Sequence, residues 1–172
     1  AAMAWPDKFY ISSGGPDELA TGQLVSRNFF EVFETHSVLG QLFTEEPGDS
    51  AREDSAAVIS YDYWQRHFAG DRGVIGRKLL INHAPITIIG VAVSGFFGAR
   101  PESRPDFWLP LTVQSTVHYH DHYSSSTTAD PTQPWPPQEN INWLQLVARI
   151  RETAALPPFT AVINRVLRQD IE

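Results

Sequence analysis

Cysteine is missing altogether from this 172-residue chain. That absence removes disulfides, thiolate nucleophiles and cysteine-ligated zinc. It leaves the compartment open, because a cysteine-free protein suits an oxidising space and the cytosol alike. Positive charge is scarce and scattered: thirteen Lys and Arg stand against twenty Asp and Glu, for a formal net charge of −7. A nucleic-acid binder needs a basic footprint, so nucleic acid is excluded as a partner. Long apolar runs are lacking too. The longest, APITIIGVAVSGFFGA from Ala84 to Ala99, is broken by Pro85, Gly90, Ser94 and Gly95 and falls short of the roughly 20 residues that span a bilayer. The chain as it stands is therefore read as not crossing a membrane. There is no Gly-x-Ser-x-Gly elbow, and SSGGPDE lacks the lysine and following helix of a phosphate loop. The acid pairs Glu45–Glu46 and Glu53–Asp54 lie in a polar stretch, away from the apolar pockets that raise a carboxyl pKa. No catalytic residue and no cofactor site is assigned, and an unrecognised hydrolase is the last of the alternatives.

What is present is a globular composition. Apolar residues make up 42% and charged ones 19%, and a chain of this length buries about 70% of the surface its unfolded form exposes. The opening AAMAW resembles a cloning scar and is set aside. KFYISSGG and DELATGQLVS read as two strands of a hairpin. SRNFFEVFE reads as a helix capped by Ser26 or Asn28, with Phe29, Phe30 and Phe33 on one face. After a polar loop from Leu39 to Asp54, AAVISY gives a buried strand. Ser60 then caps a helix in which Tyr61, Trp64 and Phe68 form a stripe and Gly70 marks the end. Arg66, Arg72, Arg77 and Lys78 are expected to face water or pair with acids such as Asp71. GRKLLIN and PITIIGVAV are strands joined at Asn82-His83-Ala84, and RPDFWLPL is another short strand. NWLQLVARI is a strand with Trp143, Leu144, Leu146 and Ile150 partly buried. PPFTAVINRVLRQ closes the chain as a helix with Pro158 near its first position.

Val113 to Asn140 differs in composition. It holds His118, His120, His122, a Ser/Thr run and four prolines, and is expected to be a long loop burying little apolar surface. Imidazoles at i, i+2 and i+4 of an extended strand share a face and could ligate zinc, copper or nickel. Without a rigid scaffold or supporting partners, the preferred reading is a solvated loop, with no metal site and these three histidines as the candidates if one exists. Of the twenty aromatics, Trp64, Trp108 and Trp143 are assigned to the core. Trp135, between prolines, is expected at the surface, where it could stack on a sugar.

LVSRNFFEVF, LGQLFTEEP, VISYDYWQRHFAGDRGVIGRKLLINHAPITIIGVA, GFFGARPESRPDFWLPL and NWLQLVARIRE, in this order, closely resemble the MacB-like periplasmic core domain of ABC transporter permeases. The variant is that of the acidobacterial duplicated orphan permeases within the FtsX-like group. The resemblance runs from about Leu24 to the C-terminus, apart from the His/Pro-rich insertion. Val25-Ser26 and Asn28-Phe29-Phe30 match the family's Val-Ser-Gly-Asn-Tyr-Phe, with Arg27 in place of the glycine. Glu34-Thr35-His36 replaces Leu-Gly-Val, Asn82-His83 replaces Asn-Gly, and Ile150 to Ala154 departs from the family's Arg-Leu-Lys-Pro-Gly-Val.

The resemblance implies an α+β fold. A porter-like βαβ lobe comes from the two ends of the chain, about 8–43 plus 107–172, with a smaller β-rich lobe, 44–106, inserted between them. It implies a non-catalytic periplasmic or extracytoplasmic domain, at the outer face of the cytoplasmic membrane, that couples conformational change or docks partners during export. The expected partners are the transmembrane helices of the parent permease and an ABC ATPase, with an adaptor protein or a second permease copy. An opening strand and helix are expected to be missing, which would favour self-association. The alternative is a secreted carbohydrate- or metal-binding module using Trp135 and the His118–His122 loop.

Overall fold

A computed structural model of the chain describes residues 1–12, 17–45, 55–123, 129–135, 141–150 and 160–161. Its elements are β1 (Ala2–Ala4), β2 (Asp7–Ser12), β3 (Glu18–Val25), α1 (Phe29–Val32), β4 (Ser37–Gly40), β5 (Ala56–Ile59), α2 (Tyr61–Phe68), β6 (Lys78–Ile81), β7 (Ala84–Ala92), β8 (Phe107–Pro110) and β9 (Leu144–Leu146). All but a single residue pair of the expected closing helix, Pro157 to Gln169, lies outside the described residues.

The strands form one mixed sheet. β2 pairs with β3 along one edge and β6 along the other, and β3–β8, β8–β5, β5–β7 and β7–β6 complete the circuit. Six strands thus close into a ring, in which β3–β8 and β5–β7 are parallel and the other pairs antiparallel. The second parallel pair is joined through α2, the crossover that parallel strands require. β4 adds to β7, while β1 and β9 extend the sheet beyond β3. Strands from both expected lobe spans enter this sheet: β5 of the 44–106 segment lies between β7 and β8.

Side-chain alternation divides the interior in two. Ala57 and Ile59 of β5 with Phe107 and Leu109 of β8 face the larger cluster, beside Phe9, Ile11, Leu24, Ile81 and Ile86. The alternate residues Ala56, Val58 and Trp108 face the smaller one, beside Met3, Phe29, Phe30 and Phe43. β5 and β8 are buried on both faces, which explains their unbroken apolar runs. Two glycines permit close approaches that any Cβ would block. One added at Gly22 would stand 2.3 Å from the Phe107 ring, and one at Gly90 would stand 1.9 Å from the Gln41 carbonyl oxygen.

Local chemistry sets the elements as expected in several places. Ser60 Oγ accepts from the Tyr63 N–H at 3.1 Å, capping α2, and Ala69 and Gly70 end it with φ of 49° and 73°. The helix buries Tyr63 and Trp64, with Tyr61 and Phe68 half-buried against the core. Arg77 pairs with Asp71, and Arg66 with Asp106 at 2.5 Å. α1 is a single turn, and its N-cap residue Asn28 makes no side-chain capping bond. The opening residues correct the sequence reading. Ala2–Ala4 pairs with β3 and β9, and Met3 and Ala4 are buried, so AAMAW is part of the sheet. Gln23 fixes the junction by donating from Nε2 to the Ala4 carbonyl at 3.0 Å. β9 carries a second correction: Trp143 is buried, but Leu146 is 81% exposed.

Candidate functional site

The stretch from Val113 to Asn140 is expected to be a solvated loop; its described residues, 113–123 and 129–135, instead form a packed strap. A 3-10 turn at Leu111–Val113 leads into turns, and Val113, Val117, Tyr119, Trp135, Ile141 and Trp143 are all buried in the larger core cluster. Gln114, 1% exposed, organises the segment. Its Nε2 donates to the Tyr119 carbonyl at 3.3 Å and the Pro131 carbonyl at 3.2 Å, and its Oε1 accepts from the Trp135 N–H at 2.9 Å. Tyr119 stacks against Phe9 and donates its hydroxyl proton to the Trp5 carbonyl at 3.0 Å. Asn82 Nδ2 bonds the Val117 carbonyl at 2.8 Å. Backbone without ladder partners is tolerable inside a protein only when side chains satisfy it, and Gln114 does so for three groups.

Trp135 is therefore not a surface platform. It has no exposed area, its Nε1 donates to the Asp130 carbonyl at 2.9 Å, and its ring meets Tyr119, His122 and Trp143 at centroid distances of 5.9, 5.4 and 5.5 Å. A sugar cannot stack on it without opening the core.

The three histidines do not line one face of a strand. His118 is exposed in a turn with φ of 51°. His120 Nδ1 lies 3.4 Å from Asp7 Oδ2. His122 is half-buried, with its ring edge-on to Trp135. Among the described residues, no three His, Asp or Glu side chains gather as a metal cluster would. Burial pushes the Tyr63 and Tyr119 hydroxyls above the usual tyrosine range, aided at Tyr63 by its bond to Glu18 and at Tyr119 by the charge of Asp121. The hydroxyl and N–H of Thr132 hold the exposed Asp130 carboxyl below its usual range.

An open trough of about 650 Å³ is lined by Ala1, Ala2, Ser26, Glu45, Leu146 and Ile150, among others. A smaller one of about 330 Å³ adjoins it and brings in Glu31, Glu34 and Arg149. Setting residues 1–5 aside concealed this feature, since β1 and β9 build it. The apolar residues at positions 2 to 4 were the available signal. Among the described residues, no helix is long and apolar enough to cross a membrane.

The described residues thus form a mixed, ring-closed sheet with few helices. The family model for the MacB-like periplasmic core domain matches residues 2–166, and the chain belongs to that family. Two solved structures share the fold. One is the periplasmic region of MacB from Actinobacillus actinomycetemcomitans, with 14% identity and a TM-score of 0.61 over 96% of this chain and 66% of that one. The other is the extracellular domain of the noncanonic ABC-type transporter YknZ from Gram-positive bacteria, with 15% identity and a TM-score of 0.58 over 91% and 68%. The chain thus spans about two thirds of the length of these neighbours. Among curated proteins, none matches. The family match begins at residue 2 and so reaches further toward the N-terminus than the resemblance from Leu24 did.

Proposed function

We propose that the chain is the non-catalytic extracytoplasmic domain of an ABC-type permease, a body that carries motion between membrane-embedded helices and partner proteins during export. The observation that carries this reading is the family match over residues 2–166. Ala1 and Val147 exchange backbone hydrogen bonds at 2.8 and 2.9 Å, so β1 and β9 stand side by side at one end of the sheet. In this reading the expected porter-like and β-rich lobes share one sheet and move together. The partners are the parent permease helices and an ABC ATPase, with an adaptor or a second permease copy.

The absence of cysteine offers a direct test. A single cysteine placed at Ser94, on an exposed turn, in a parent protein whose other cysteines are replaced, reports which side of the membrane the domain occupies. Labelling of intact cells by a membrane-impermeant maleimide is the expected result. Labelling only after lysis would overturn the proposal.

A further inference from the structure

The chain has only two lysines, Lys8 and Lys78, and the fold brings both to one outer face of the sheet. Lys8, Tyr10 and Ser12 alternate outward along β2, while Phe9 and Ile11 point inward. Tyr10 stands opposite Leu19 and Lys8 opposite Thr21, whose Oγ1 takes a hydrogen bond from the Lys8 ammonium at 2.7 Å. On the other edge of β2, Ser12 stands opposite Leu80, which in turn faces Pro85 on β7. Lys78 lies two residues before Leu80, on the same side. Tyr10 and Leu19 are each 59% exposed and Leu80 is 43% exposed. An apolar strip of Tyr10, Leu19, Leu80 and Pro85 therefore crosses four strands, with an ammonium at each side. Among the described residues, neither ammonium is ion-paired. Asp17 precedes β3, and Asp106 Oδ2 accepts from the Thr21 N–H at 2.9 Å.

We infer that this face is a docking surface for a protein segment that presents apolar side chains rimmed by carboxylates. Contiguous exposed apolar surface with a polar rim is the mark of an interaction site, and the two ammoniums on a chain of net charge −7 select the sign of the partner. They also disfavour a second copy packed face to face, which would bring lysines against lysines. The face lies toward the tip of the β2–β3 hairpin, at the opposite end of β3 from the Ala1–Val147 junction. The inference rests on the permease reading, in which docking of partner proteins belongs to this domain.

The test uses two synthetic amphipathic peptides of about fifteen residues with identical leucine content. One carries glutamates on its polar face, the other lysines. Backbone amide spectra of the labelled protein are followed as each is added. The acidic peptide is expected to shift residues 8–12, 19–21 and 78–87 and to weaken with added salt, while the basic one binds at least about tenfold more weakly. Tyr10→Ser with Leu80→Ser should abolish the effect in a protein that still gives a folded spectrum. Lys8→Glu with Lys78→Glu should reverse the preference between the peptides. Equal binding of both peptides, or shifts elsewhere, would overturn the inference. So would self-association through this face in sedimentation equilibrium, which would make a second copy the occupant. Tighter binding to vesicles of anionic phospholipid would assign the face to a membrane surface instead. None of these results alters the maleimide labelling, so failure of the docking face and failure of the permease reading are told apart.

Discussion

At Asn82 and His83 the backbone turns with φ of 46° and 71°, the conformation of a two-residue hairpin loop of type I′. The second position favours glycine, because a Cβ in the left-handed region costs about 1–2 kcal/mol. His83 is exposed there, so His83→Gly should stabilise the fold by roughly 0.5–1 kcal/mol after the added freedom of the unfolded chain is set against it. A raised melting temperature checks it. Gln114 is the opposite case, since its whole side chain is in use. Gln114→Ala leaves two carbonyls and one N–H without that partner, and an expected loss of about 3 kcal/mol is measurable by urea denaturation. The tyrosines add a pH dependence. Tyr63 and Tyr119 have hydroxyl pKa values raised by folding. The folded state holds these protons more tightly, so their contribution is intact below the unfolded tyrosine value of about 10 and is lost as pH rises beyond it. Alkaline titration should show stability falling above about pH 10, and Tyr63→Phe with Tyr119→Phe should flatten that fall.

Among the elements, those legible in the sequence carry their signal locally. Ser60, Asp62 and Gly70 mark both ends of α2, and two apolar runs either side of Asn82-His83 mark β6 and β7. The strap from Val113 to Trp143 was illegible because its burial depends on partners far along the chain: Phe9 and Trp5 for Tyr119, and Asn82 for the Val117 carbonyl. Averaging over its serines and prolines hid Val117, Tyr119 and Trp135, each of which is apolar at a point where the polar run pauses. The contrast can be measured. Trp64→Ala and Trp135→Ala should each cost about 3–5 kcal/mol, because each deletes a large buried ring. A surface tryptophan would cost within about 0.5 kcal/mol. Equal falls in melting temperature for the two variants would place the strap in the core alongside α2. An unshifted Trp135→Ala would return that ring to solvent.

For the whole molecule, the α+β character follows from the alternation of strand and helix patterns, whereas the order of strands does not. Apart from the β2–β3 and β6–β7 hairpins, the pairings join residues far apart, and nothing local in Ala56–Ile59 says that β5 lies between β7 and β8. The same limit hid β1, three apolar residues whose role appears only once β3 and β9 are beside them. Deleting residues 1–4 should therefore strip the partner from β9. The expected signature is faster hydrogen exchange at residues 144–147 together with a lower melting temperature, while exchange in β5 and β7 changes far less.

The hydrogen-bonded contact of Ala1 with Val147 has a mechanical meaning. β1 and β9 are antiparallel and meet at the outward ends of both strands, so tension drawing those two points apart loads one bond of the ladder at a time. A zip of this kind yields gradually under small forces. The ring of six strands lies out of the line of pull, and its shape would survive a tug that parts the two ends.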